Sequence, residues 1–364
     1  MVALSVLIAG GGTGGHLYPG IAVAREIVER VPDAVVSFVG TATGVEARVV
    51  PREGFALDVI RSAGLKGKSA ASLARGMLLL PLSALDAWRV LRRRRPSVVI
   101  GVGGYSSGPV VALAAASGVP TLLMEQNAVP GLTNRLLARM VSAAAVTYEE
   151  SIGAFGRKAF VAGNPVRPEF LQKGAQHAQR GSPSGTARVL VFGGSQGAHA
   201  INVAMVEAAP RLAAARPRLA ITHQSGERDV EMVRHGYRRA GLEARVEPFL
   251  FQMDREMTAA DLVVCRAGAT TLAELTAAGR PSILIPFPGA TDDHQRRNAE
   301  VLARAGAARL VDQRELTGER LAAEILGLAG DGAARARMSE EAAGLARPDA
   351  ARVIADRVLA LAGR

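Results

Sequence analysis

Three glycine-rich strips, one histidine and one carboxylate stand at strand ends, where their side chains and amides can meet a ligand. The first strip, Gly10-Gly11-Gly12-Thr13-Gly14-Gly15, follows an apolar run, precedes a helical pattern and is closed by His16. Glycine permits positive φ and close backbone approach, and the open N–H groups of a helix start attract phosphate. The second strip, Phe192-Gly193-Gly194-Ser195-Gln196-Gly197, repeats the device about 180 residues later. There the Ser195 hydroxyl can donate to a phosphate oxygen or cap the helix. The third, Gly101 to Pro109, joins Gly64-Leu65-Lys66-Gly67-Lys68 as a second anion-accepting surface or, alternatively, as a solvated loop. His16 has the pKa class of a general base, and Glu125, ahead of Gln126-Asn127, is the competing carboxylate. Each also reads as a residue that merely holds its turn.

Several chemistries are disfavoured. A nicotinamide site needs an acidic residue at the end of the second strand, yet Phe38-Val39-Gly40-Thr41 reaches no carboxylate before Glu46. No G-x-x-x-x-G-K-[ST] and no Asp-x-Asp occur; Asp292-Asp293 reads as a solvated turn, so no metal site and no cofactor are expected. The single cysteine, Cys265, ends an apolar strand and reads as a small buried hydrophobe, which excludes a disulfide framework. Lys+Arg outnumber Asp+Glu by 44 to 33, but aromatics at 4% and the lack of a binding motif argue against nucleic acid. The uncharged stretch Ser97 to Met124 is long enough to span a bilayer, yet its glycines and prolines punctuate it as strand, loop, helix and strand. The amino terminus reads as a first strand rather than a signal peptide.

The elements that must carry these residues alternate: short β-branched runs, then longer Ala/Leu-rich stretches of helical period. Residues 4–9, 35–39, 98–102 and 121–124 are expected as strands of a first parallel sheet, with helices over 18–30 and 75–95. The pattern restarts with strands at 188–192, 220–223, 245–248, 262–265 and 282–286. The expected fold is α/β, with two doubly wound Rossmann-like domains facing across a cleft that both glycine turns border. Gly163-Asn164-Pro165-Val166-Arg167-Pro168 marks the boundary, giving domains 1–164 and 165–346, and a last helix at 350–362 is a candidate to pack back on the first domain. Met77 to Leu80 with Leu85, Trp88, Leu91 and Arg92 to Arg95 forms an apolar and basic stretch suited to a bilayer interface.

Taken together, these segments resemble the MurG family of bacterial peptidoglycan glycosyltransferases. The resemblance runs nearly end to end, through Gly11 to His16, Tyr18-Pro19-Gly20, Gly103 to Pro109, Glu125-Gln126-Asn127, Gly131 to Asn134, Gly163 to Arg167, Gly193 to Gly197, His223 to Gly226, Cys265 to Ala269, Asp293-His294-Gln295 and Asn298-Ala299. It implies a GT-B fold and inverting, metal-independent transfer of GlcNAc from UDP-GlcNAc to an undecaprenyl-diphosphate-linked MurNAc-pentapeptide. It also implies peripheral attachment to the cytoplasmic face of the cell membrane through an anionic surface, with other cell-wall enzymes as partners. For UDP-GlcNAc the resemblance points to Thr13, Gly14, Gly15, Asn127, Arg167, Ser195, Leu250, Ala269, Thr270, Thr271, Leu272, Ala273, Glu274 and Gln295. For the acceptor it points to Lys66, Gly103, Gly104 and Tyr105. His294 competes with Gln295 for the sugar, and His16 with Glu125 as the base. A related transferase to another lipid acceptor or UDP-GlcNAc epimerase, a nucleotide-sugar-binding protein without turnover and a nicotinamide oxidoreductase are the alternative readings.

Overall fold

The computed structural model describes residues 4–62, 70–171, 185–194, 196–216 and 218–363, with backbone only for 70–78. Lys66, Ser195, the stretch 173–184 and the side chains of Met77 and Leu78 therefore lie outside the described residues. Two compact units form. One joins Met1–Arg167 to Arg347–Arg364, and the other is Pro168–Ala346, so the division falls within the Gly163–Pro168 segment.

The first unit holds a seven-stranded parallel sheet: β1 (Ser5–Gly10), β2 (Val35–Gly40), β3 (Ala56–Val59), β4 (Val98–Gly103), β5 (Thr121–Glu125), β6 (Ala143–Val146) and β7 (Ala159–Val161). Their order is β3-β2-β1-β4-β5-β6-β7. The expected sheet lacked β3, β6 and β7. Ala143-Ala144-Ala145 has no β-branched residue to announce a strand, and only its burial on both faces makes it one. The supposed membrane stretch resolves into β4, a helix over Ser107–Ala116 and β5.

Chain order reverses between β1 and β4, the switch point at which open α/β sheets bind ligands. The helix Gly14–Arg30 leaves the end of β1, and Gly20 lets it lie close, because a β-carbon there would come 3.0 Å from Val102. The last helix, Ala350–Leu361, buries Ile354, Ala355 and Val358 in the same core as Leu17 and Ile21. An Arg30–Asp356 ion pair at 2.6 Å joins the two helices.

The second unit contains β8 (Thr186–Phe192), β9 (Arg218–Gln224), β10 (Ala244–Glu247), β11 (Leu262–Cys265), β12 (Ser282–Leu284) and β13 (Ala308–Leu310). The order β10-β9-β8-β11-β12-β13 is again parallel, with its switch point between β8 and β11. The sixth strand, β13, was not expected. It is three residues long and carries Arg309, so it lacks the apolar run that marked the others.

Candidate active site

The first glycine turn is filled from within. Helix Glu46–Arg52 brings the fully buried Glu46 beneath it, where the carboxylate accepts from Gly12 N at 2.8 Å, Thr41 N at 2.8 Å and Thr41 Oγ1 at 2.9 Å. Burial opposes ionisation of Glu46. The hydrogen bonds from Gly12 and Thr41 outweigh it and hold the carboxyl below its ordinary range. Gly11, Gly40 and Gly44 must be glycine here, since a β-carbon on any of them would overlap the Glu46 side chain. At Gly12, therefore, the amide is taken up by an internal carboxylate rather than left open. In the sequence Glu46 stands out only by coming too late after the second strand to serve a ribose.

The turn leads directly to His16, half-buried in the first turn of its helix. His16 Nδ1 lies 3.2 Å from Gln126 Oε1, and Gln126 Nε2 donates to Val102 O at 3.1 Å. Gly103, with φ of +95°, makes room for the ring, because a β-carbon there would stand 2.9 Å from Nδ1. His16, Gly103 and Gly104 thus meet at one sheet switch point, with Tyr105 exposed beside them.

Glu125 is 2% exposed and its oxygens are taken up. Oε1 accepts from Asn127 N (3.0 Å) and Nδ2 (3.3 Å), and Oε2 from Gly131 N (3.0 Å) and Asn134 Nδ2 (2.8 Å). Such a carboxylate shapes the Asn127–Asn134 loop. Its lone pairs are directed at loop donors rather than at an incoming hydroxyl. Arg167, at the end of the unit, lies over the Tyr18 ring with its guanidinium carbon 5.5 Å from the centroid.

Beside the Tyr105 strip, an apolar groove of about 480 Å³ runs between the helices Ala70–Arg94, Ser107–Ala116 and Leu132–Leu137, lined by Leu79, Leu80, Pro109, Leu113 and Leu136 among others. Leu80, Leu82, Leu85 and Trp88 are exposed, and Arg92 stacks on Trp88. Not all the arginines face outward unpaired: Arg93 and Arg94 grip the buried Asp58, and Arg61 holds Asp86, whose pKa falls to about 2. Among the described residues, no helix is long and apolar enough to cross a membrane.

In the second unit the glycine turn is held by neutral groups. Gln224 Nε2 donates to Gly194 O and its Oε1 accepts from Leu250 N, both at 2.8 Å. The amide of Leu250 is thus already engaged, and the flanking Phe249 and Phe251 are exposed in an edge-to-face pair. Gly197 packs against the Ser225 carbonyl so closely that no β-carbon fits. Behind this lies a buried chain in which Asn202 Nδ2 donates to Ser225 O and Asp229, and His223 bridges Asn202 (3.0 Å) and the Tyr237 hydroxyl (2.7 Å). Burial keeps His223 neutral, with its pKa pushed down to about 3.

At the end of β11, Gly268 precedes the helix Ala269–Ala277, which carries Thr270, Thr271, Leu272, Ala273 and the buried Glu274. The helix begins just beyond the carboxyl end of β11, and a helix start is the end that favours an anion. Arg266, within the Cys265–Ala269 segment but given no site role in the sequence, binds the carbonyls of Ile285 and Pro286, and burial lowers its pKa to about 10. Gln295 Oε1 accepts from Phe287 N, and His294 Nδ1 donates to Thr291 O, so each side chain keeps one polar group pointed away from its own loop contact. Asp292 and Asp293 sit exposed with φ near +50°, a left-handed turn; among the described residues no three His, Cys, Asp or Glu cluster as metal ligands do.

Sequence profiles of the glycosyltransferase family 28 N-terminal and C-terminal domains match residues 6–146 and 188–354. A UDP-N-acetylglucosamine–N-acetylmuramyl-(pentapeptide) pyrophosphoryl-undecaprenol N-acetylglucosamine transferase of Anaeromyxobacter dehalogenans (strain 2CP-1) is 51% identical over 99% of this chain and 94% of its own. The transferase of that name from Myxococcus xanthus is 48% identical over 97% of this chain and 92% of its own. Among solved structures, Acinetobacter baumannii MurG superimposes with a TM-score of 0.81 at 30% identity, covering 98% of this chain and 99% of that one.

Proposed function

The chain belongs to glycosyltransferase family 28, and on that premise we propose that it transfers GlcNAc from UDP-GlcNAc to the MurNAc C4 hydroxyl of undecaprenyl-diphosphate-MurNAc-pentapeptide, inverting the anomeric centre. The observation that carries this reading is identity of about half, over nearly the whole chain, to relatives named for that transfer. In a single displacement the C4 oxygen bonds the anomeric carbon while its proton passes to His16. The bond from that carbon to the diphosphate oxygen breaks, and its electron pair leaves on UDP. His16 is the base in this reading because it is half-buried with one ring nitrogen already anchored, whereas Glu125 is committed to its loop. General-base catalysis of this kind is worth about 10²–10⁴-fold.

Departing diphosphate needs fixed positive potential. The helix start at Ala269-Thr270-Thr271, Ser195 and Arg167 would supply it electrostatically, with no metal required. Glu274 would take the ribose hydroxyls and Gln295 or His294 the sugar hydroxyls, while Thr13, Gly14, Gly15 and Asn127 would contact the donor from the first unit. Gly103, Gly104 and Tyr105 with Lys66 would face the acceptor. The exposed Leu80, Leu82, Leu85 and Trp88 would rest on an anionic membrane surface at the cytoplasmic face.

The decisive experiment is transfer of labelled GlcNAc to the lipid-linked acceptor, in EDTA, by wild type, His16→Ala and Glu125→Ala. Expected are product from wild type and a loss of about 10²–10⁴-fold in His16→Ala with UDP-GlcNAc binding intact. UDP-GlcNAc binding without any product from wild type would sink the acceptor assignment. Leu85→Ser/Trp88→Ser should reduce co-sedimentation with anionic vesicles and leave transfer to a detergent-dispersed acceptor unchanged; undiminished co-sedimentation would remove this face from the membrane contact.

A further inference from the structure

Gln126 sits 2% exposed between two partners that together dictate its orientation. Its amide nitrogen donates to the Val102 carbonyl at 3.1 Å, and turning the amide over would set its oxygen against that carbonyl instead. The oxygen must therefore face His16, where it stands 3.2 Å from Nδ1. An amide oxygen only accepts, so Nδ1 carries the proton and donates. We propose that Gln126 is a positioning residue for transfer: its carboxamide holds His16 as the Nδ1–H tautomer, with the basic lone pair on Nε2. This rests on the reading of His16 as the base.

The pair is built rather than incidental. Gly103 leaves the gap that the ring fills, and Gln126 directly follows β5, whose pairing with β4 sets the height of Val102 beside it. The choice of a neutral amide matters as well. A carboxylate in this place would stabilise the imidazolium and keep the base protonated at neutral pH, whereas an amide orients the ring without adding charge. Near the turn, the titratable and charged groups are Glu46 beneath it, Glu125 at the end of β5, Tyr18 on the same helix and Arg167 over Tyr18; further along that helix stand Arg25, Glu26, Glu29 and Arg30, and the last helix packed on it carries Arg352, Asp356 and Arg357. Glu46 and Glu125 are each committed to several donors of their own.

The test combines imidazole ¹⁵N spectra with pH profiles of kcat and KM. The His16 signal is assigned by its loss in His16→Gln. Wild-type His16 should be the Nδ1–H tautomer, and Gln126→Leu should shift it toward Nε2–H. Gln126→Leu should also lower kcat on the order of a hundredfold, with little change in KM for UDP-GlcNAc. In Gln126→Glu the new carboxylate is repelled by the Val102 carbonyl and driven onto the ring, so the acidic limb of kcat should rise by about 1–3 pH units. UDP-GlcNAc binding and melting temperature report whether each variant is folded. A wild-type Nε2–H tautomer, or a Gln126→Leu enzyme with unchanged kcat and pH profile, overturns the assignment. If wild-type His16 is Nδ1–H yet His16→Gln transfers GlcNAc as fast as wild type, the reading of His16 as a base fails and takes the catalytic role of Gln126 with it, while the tautomer itself stands; the spectra tell the two failures apart.

Discussion

The two glycine turns share a strand, a run of glycines and a following helix, yet they are finished differently. Beneath the first lies Glu46, a buried carboxylate that consumes the Gly12 amide. Against the second lies Gln224, a neutral amide that ties Gly194 to Leu250. A carboxylate under the first turn takes the Gly12 amide that such turns otherwise offer to an anion, and the turn leads on to His16. The second turn is held without adding negative charge. Glycine spacing specifies the shape of a turn; the residue that fills it from behind decides what it does.

Removing the filler of the first turn should do the most damage. Glu46→Ala strands three donors, two of them backbone amides, at a cost on the order of 3 kcal/mol or more. A urea midpoint within experimental error of wild type would show that water replaces the carboxylate and that the first turn needs no internal anion.

Acid should separate the turns next. His223 is neutral when folded down to about pH 3, whereas the unfolded chain takes up a proton near its ordinary 6.5. The second unit's stabilisation from this source is therefore complete above about pH 6.5 and declines as pH falls toward 3, by on the order of 2–3 kcal/mol between 6.5 and 4.5. Glu46 has a lowered folded pKa, so its contribution is complete above its ordinary 4.5 and is lost only as pH falls below that, through the folded value. Thermal melts from pH 8 to 4 should show His223→Gln flattening the decline above pH 4.5 and Glu46→Gln leaving that range untouched. The reverse pattern would mean the wrong groups have been credited.

Gln224→Ala leaves the buried Leu250 amide without its acceptor and should cost about 1–3 kcal/mol. It should weaken UDP-GlcNAc binding while leaving the His16 tautomer unchanged, as titration calorimetry and the ¹⁵N spectrum would record. The smallest effect should be common to both turns. Gly12 and Gly194 have φ of +83° and +96° with open space where a β-carbon would go, so alanine at either should cost only the backbone strain, roughly 1–2 kcal/mol. Unequal losses would reveal a crowding that the geometry does not contain.

Much of the fold could be read directly. Runs such as Leu4 to Ala9 and Val98 to Val102 are apolar and β-branched because both faces of a parallel strand are buried, and that demand is local. The strands at Ala143–Val146 and Ala308–Leu310 were hidden because alanine and arginine become strand residues only through their neighbours. His16 and Glu125 were legible as titratable groups beside glycine turns, yet their contrast was not. Whether a carboxylate accepts from its own loop or from a substrate depends on where Asn127, Gly131 and Asn134 fold, up to nine residues away.

By itself, then, the sequence determined the strand–turn–helix units, their repetition in two halves and the inventory of reactive groups, because those follow from residue type and short-range spacing. Tertiary structure alone decided that Glu46, 34 residues from Gly12, closes the first turn, and that Gln126, 110 residues from His16, meets its ring. A hydrogen bond needs its partners within about 3 Å in a set orientation, and only the packing of strands against one another brings residues that far apart in sequence to that distance.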